Sequence, residues 1–130
     1  MNYSIYFRTA ACAIIIYDVT QRYMFDEIDK WIYEVDKFSN NNLVKILCGS
    51  KIDLSDKRVV TTEEGMLKAE QNGMLFIETS AVDGTNINEL FELAAKEIKK
   101  RFEDGALAVG IKLKNVAVAP QSLLSSIKSK

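Results

Sequence analysis

Apolar residues along the chain fall into two rhythms that take turns. Residues 13–19, AIIIYDV, are a short β-branched run ending at Asp18, Val19 and Thr20, the pattern of a strand covered on both faces. From Phe25 the period lengthens. Phe25, Ile28, Ile32 and Val35 recur at steps of three and four, with Asp26, Asp29, Lys30 and Asp36 on the other face, which predicts an amphipathic helix over 25–38. Ser39 and the asparagines 40–42 supply the turn chemistry that ends it. A second buried strand is predicted over 44–48. Thr61, Thr62, Glu63 and Glu64 then give the capping residues and early acids of a helix that runs to Asn72 and Gly73, where glycine suits a helix end. Residues 75–77 read as a third strand. After Asp83 and Gly84 a last helix carries Ile87, Leu90, Phe91, Ala94, Ala95 and Ile98 on one stripe.

Strand and helix therefore alternate three times, which predicts an α/β fold of three parallel strands joined by right-handed crossovers, with three helices packed on the sheet. Ligands of such sheets gather at the carboxyl ends of the strands. Those ends are Asp18 to Thr20, Gly49 to Asp53 and Glu78 to Ala81.

Composition narrows the chemistry. A chain of 130 residues, 48% hydrophobic and 27% charged, fits one soluble domain. Its 17 basic and 18 acidic residues are mixed along the chain, so nothing asks for nucleic acid as a partner. The absence of histidine removes Ser-His-Asp and Cys-His catalysis and every histidine-containing metal site. Cys12 and Cys48 lie in apolar runs without a C-x-x-C pair and read as buried free thiols of a reducing compartment. The start of the chain has neither a cleavage pattern nor an apolar run long enough to span a membrane.

What remains is phosphate chemistry or binding, and at the strand ends the stretch CGSKIDL, residues 48–54, is the most suggestive. Guanine presents two adjacent donors, the ring N1–H and the exocyclic amine, beside a carbonyl acceptor. A fixed carboxylate at Asp53 matches both donors, and adenine would leave it unpaired. The backbone N–H of Ala81 suits the carbonyl, and the aliphatic stem of Lys51 suits the flat face of the base. Lys51-x-Asp53 alone is a common loop pattern. Its weight comes from the preceding strand and from ETSA, residues 78–81, at the next strand end.

Taken together, YFRTAACAIIIYDVT, FDEIDKWI, CGSKIDL and FIETSA resemble the second half of a Rab-type small GTPase of the Ras superfamily, from about Tyr6 to Arg101. The resemblance implies the C-terminal half of a Ras-like P-loop GTPase fold over residues 1–104, followed by a tail over 105–130. It implies a guanine-nucleotide switch that cycles between GTP and GDP in vesicle transport, with Rab regulators and effectors as partners. The family's N-K-x-D and S-A-K base loops correspond to Ser50, Lys51, Asp53 and Leu54 and to Ser80, Ala81 and Val82. Ser50 stands where the family has Asn, and Val82 where it has Lys.

The chain contains no G-x-x-x-x-G-K-S/T phosphate loop, no switch I threonine and no D-x-x-G. The expectation is thus an N-terminally incomplete family member, without a magnesium site or catalytic residues of its own and with weak or absent binding of GTP and GDP. Gly105 and Gly110 have phosphate-loop spacing, but Ile111 occupies the lysine position. No cysteine follows Cys48, so a prenyl anchor is not expected and the chain reads as cytoplasmic. In the tail, Val116 and Val118 alternate in strand fashion, and a strand and a disordered segment both stay open. The strand over 13–19 is expected to leave one edge unpaired, able to self-associate, and the helix over 25–38 to expose part of its stripe. A second functional reading stays open as well: a non-catalytic protein that competes for Rab partners through Tyr3, Tyr6 and Phe7.

Overall fold

The computed structural model describes residues 11–38, 43–101 and 116–118. Tyr3, Tyr6, Phe7, Gly105 and Gly110 lie outside them. The first strand, β1 (Cys12–Asp18), is followed by two consecutive helices, α1 (Arg22–Asp26) and α2 (Ile28–Phe38). Then come β2 (Val44–Ser50), a 3-10 turn at Ser55–Lys57, α3 (Thr62–Gln71), β3 (Leu75–Glu78), α4 (Ile87–Arg101) and the short β4 (Val116–Val118). The strands form one sheet in the order β3-β2-β1-β4, and every neighbouring pair is parallel.

The alternation of β1 explains the two layers. Ala13, Ile15 and Tyr17 face α1, α2 and α3 in a core with Phe25, Ile28, Trp31, Ile32, Val35, Leu47 and Ala69. Cys12 and Ile14 face the other way with Val44, Ile46 and Cys48, against Leu90, Ala94 and Ile98 of α4. The four stripe residues Phe25, Ile28, Ile32 and Val35 are all buried, which corrects the expectation that part of that stripe stands in solvent. Burying each such side chain stabilises by about 2 kcal/mol, so packing rather than helix propensity holds this segment. On α4 the stripe is narrower than its sequence: Phe91 is 39% exposed and Ala95 faces solvent.

Three further features differ from the sequence reading. The single helix over 25–38 is divided at Glu27, whose carbonyl accepts from both Lys30 N at 3.1 Å and Trp31 N at 3.3 Å where α2 opens. The strand β2 does not stop at Cys48 but continues through Gly49 and Ser50. And β4 pairs with β1 through Cys12↔Val116, Ala13↔Ala117 and Ile14↔Val118, so a strand of the C-terminal segment covers the first part of the edge that was expected to be open. In sequence Pro120, which has no N–H to donate to a ladder, follows two residues later.

The helix ends follow their chemistry. Thr61 Oγ1 accepts from Glu64 N at 3.1 Å while Glu64 Oε1 accepts from Thr61 N at 3.0 Å, a full capping box on α3. Gly73, at φ +63°, takes the left-handed turn that lets the chain leave α3 for β3. No described helix is long and apolar enough to cross a membrane.

Candidate functional site

Register brings the three strand ends level. Asp18 lies opposite Ser50, and Gly49 opposite Glu78. Beyond the strands the backbone keeps the loops together: Thr79 N donates to Gly49 O at 2.8 Å, Ile52 N to Thr79 O at 3.3 Å and Val19 N to Ser50 O at 3.1 Å. The loop after β2 and the loop after β3 are thus one structural unit, as the sequence order implied.

Within that unit the predicted residues separate into an inner and an outer set. Ser50 is 8% exposed, and its hydroxyl donates to Tyr17 O at 3.0 Å, so it ties β2 to β1. Ser80 is fully buried, and its Oγ donates to Asp53 Oδ1 at 2.8 Å. The outer set is Asp53, Ala81 and Val82, all exposed, with Val82 at 68%. Leu54 is half-buried and closes the turn by donating its N–H to Lys51 O at 3.0 Å. One carboxylate accepts about four hydrogen bonds, so the bond from Ser80 orients Asp53 and leaves acceptor capacity for a ligand's donors.

The loop after β3 is braced from below. Ser80 N donates to Thr85 O at 3.0 Å, and Asp83 Oδ1 accepts from Thr85 N and Oγ1 at 2.9 and 2.6 Å. These bonds hold the Asp83 carboxyl below the usual range. Asn86, at φ +60°, donates its side-chain amide to Glu78 O at 2.8 Å.

Several supporting residues escaped the sequence reading. Arg58 forms a two-pronged pair with Glu78, at 2.9 and 3.1 Å, and Thr62 Oγ1 donates to the same carboxylate at 2.9 Å. The bonds from Glu78 raise the Arg58 pKa, although burial opposes them. Glu78 of ETSA therefore pins the 3-10 turn region and α3 to β3. The other unpredicted partner is Asp18, which is paired with Lys51 Nζ at 2.8 Å. An acid at the end of an otherwise apolar strand was the available signal for it.

No group of three or more side chains suited to holding a metal ion occurs among the described residues. Chemically the arrangement offers an oriented carboxylate, an exposed backbone turn and a half-buried lysine stem, which is the equipment for recognising a flat polar ring.

The comparisons agree with this geometry. The family model of the Ras family matches residues 2–100. "Ras-related protein Rab5" of Nicotiana tabacum is 47% identical over 95 residues, covering 73% of this chain and 48% of that protein. "Ras-related protein RHN1" of Nicotiana plumbaginifolia is 46% identical over 95 residues, with the same coverage of 73% and 48%. The chain spans about half the length of these curated relatives. With the alternating parallel sheet, the level strand ends and this similarity in hand, the chain belongs to the Ras family and is a Rab-type small GTPase sequence.

Proposed function

We propose that this chain carries the guanine-reading part of a Rab-type nucleotide switch acting in vesicle transport, with Rab regulators and effectors as its protein partners. Asp53 accepts from the N1–H and exocyclic amine of guanine, the Ala81 N–H donates to the base carbonyl, and the stem of Lys51 lies along the ring. Ser50, Ser80, Leu54 and Val82 shape the two loops rather than contact the base edge. The observation that carries this reading is the 2.8 Å bond from buried Ser80 to exposed Asp53, which sets one carboxylate oxygen and with it the direction of the other.

The residues fit the base of GTP or GDP by their donor and acceptor set. Phosphate and magnesium chemistry are not assigned to them, because the ammonium of Lys51 is already paired with Asp18. A base held by so few groups binds with a dissociation constant no better than about 1 mM, roughly −4 kcal/mol. The competing reading, a partner competitor acting through Tyr3, Tyr6 and Phe7, has no supporting observation among the described residues.

Saturation-transfer NMR of the full chain with GMP and AMP tests the proposal, since the two share a phosphate and differ in the base. The expected result is a clear preference for GMP that Asp53→Asn removes. Equal binding of both nucleotides would end the base-reading assignment. Submicromolar, magnesium-dependent binding of GDP would show that phosphate contacts dominate instead.

A further inference from the structure

We infer that Asp18 is the positioning residue of the base-reading loop, acting through Lys51 to set where the lysine stem lies; the inference rests on the guanine-reading proposal above. Lys51 has φ +66°, in the left-handed region that a lysine seldom occupies. Such a conformation persists only where its surroundings fix it. Two contacts do so. The Leu54 N–H bond to Lys51 O closes the turn from the backbone side, and Asp18 Oδ2 holds the ammonium at 2.8 Å from the side-chain side.

Asp18 is itself immobilised. Its side chain is 3% exposed, and its other oxygen, Oδ1, accepts from Thr20 N at 2.8 Å and from Thr20 Oγ1 at 2.7 Å. Burial by itself would raise the carboxyl pKa, but the bonds from Lys51 and Thr20 more than reverse this, so the group is held ionised. A buried carboxylate with one oxygen on its own turn and the other on Lys51 acts as a clamp with a fixed jaw.

The consequence lies in the direction of the lysine. Its ammonium is anchored at the end of β1, and the four-carbon stem spans from the αL backbone at Lys51 to that anchor. A lysine without this anchor would extend its strongly hydrated ammonium into water and take the stem off the site. Asp18 touches no ligand in this account. It acts by holding the flat support that Asp53 and Ala81 work against.

The test is a double-mutant cycle on GMP binding with Asp18→Asn and Lys51→Met, read in the full chain by saturation-transfer NMR with AMP as the control. Asp18→Asn keeps the acceptor for Thr20 and removes the charge. It should weaken GMP about fivefold in the wild-type background and have no effect in the Lys51→Met background, because the two residues act as one unit. A purely structural role would give the same loss in both backgrounds, and that result would overturn the inference. So would an unchanged GMP preference in Asp18→Asn, which leaves the base-reading proposal standing. Equal binding of GMP and AMP by the unmutated chain would overturn both. Should Asp18→Asn fail to fold, Thr20→Val loosens the same carboxylate, and the expected loss is about twofold, again confined to the background that keeps Lys51.

Discussion

The hydroxyl of Tyr17 occupies the space in which any side chain at position 65 would have to begin: a Cβ built on Gly65 would stand 2.3 Å from Tyr17 Oη and 2.5 Å from the ring of Phe76. Glycine in a helix interior ordinarily costs about 1 kcal/mol relative to alanine. Here the two aromatic rings reverse that preference, since overpacking a filled core costs about 1–3 kcal/mol. Gly65→Ala should therefore destabilise the chain by roughly 1–2 kcal/mol despite its better helix propensity. Urea denaturation followed by circular dichroism measures it, and a stabilised variant would mean that Tyr17 and Phe76 have room to retreat.

Tyr17 makes a second prediction. Its Oη is fully buried and finds no hydrogen-bond partner among the described residues. Burial holds its pKa far above the ordinary phenol value, with Glu78 adding to the effect. A buried hydroxyl without a partner is a standing cost, so Tyr17→Phe should be neutral or stabilising by about 1 kcal/mol. It should also rescue Gly65→Ala only in part, because the contact with Phe76 remains. Full rescue would place the whole strain at the hydroxyl.

Gly49 shows where the sequence could and could not be read. From the sequence it marks the end of a strand and the entry to a ligand loop. In the structure β2 runs on through Ser50, and a Cβ at Gly49 would meet Tyr17 Oη at 2.9 Å, so this glycine makes room for the same tyrosine. The element types were legible because β-branched runs, an apolar stripe and a threonine cap each speak for their own segment. The break at Glu27 was not, since the hydrophobic period passes through it undisturbed. Lys51, Asp53 and ETSA were legible as chemistry at strand ends. Their partners were less so: Asp18 lies 33 positions before Lys51 and Arg58 lies 20 before Glu78, distances across which only the tertiary fold brings residues together. The pairing of β4 with β1 was hidden for the same reason.

The two thiols offer a probe of unfolding. Burial pushes Cys12 up to about 12, with Arg101 opposing it, and Cys48 up to about 11, with Thr79 opposing it. Thiolate is the reactive form, so both should resist a thiol reagent at about pH 8 in the native chain and react together in denaturant. The folded chain binds these protons more tightly than the unfolded one, whose thiols titrate near 9.0, so stability is complete below that pH and declines above it. Rapid labelling of either cysteine without denaturant would reveal local opening of β1 or β2.

Acid should act with the opposite sign. The Arg22 pair at 2.6 Å, together with the Thr61 N–H, lowers Glu64 from 4.5 to about 2. A carboxyl depressed in this way contributes stability that is complete above pH 4.5 and lost as pH falls toward 2. Asp18 is lowered as well and adds in the same direction. The Arg22–Glu64 pair is 44% and 37% exposed, so its share is small and falls with added salt. Glu64→Gln should flatten part of the acid slope of the urea midpoint between about pH 5 and about pH 2. An unchanged slope would assign the acid sensitivity to the other lowered carboxyls, Asp18 and Asp83.

The strongest dependence should fall on Arg58 and Glu78. Their side chains are 21% and 13% exposed, and the guanidinium also donates to Val60 O and Thr62 Oγ1, so the pair joins β3, α3 and the loop after β2. Removing one member leaves the other charge in a partly dry site, which costs more than the intact pair contributes. Glu78→Gln and Arg58→Ala should each lose about 2 kcal/mol, and Arg58→Lys should lose nearly as much because an ammonium cannot form the two-pronged contact. The double variant Arg58→Met with Glu78→Leu should be more stable than either single change, since no orphaned charge remains. The same brace stands beneath the loop of Ser80 and Ala81, so the single variants should also lower the preference for GMP over AMP. A loss of stability with that preference intact would confine the pair to the fold and give it no part in positioning the base-reading loops.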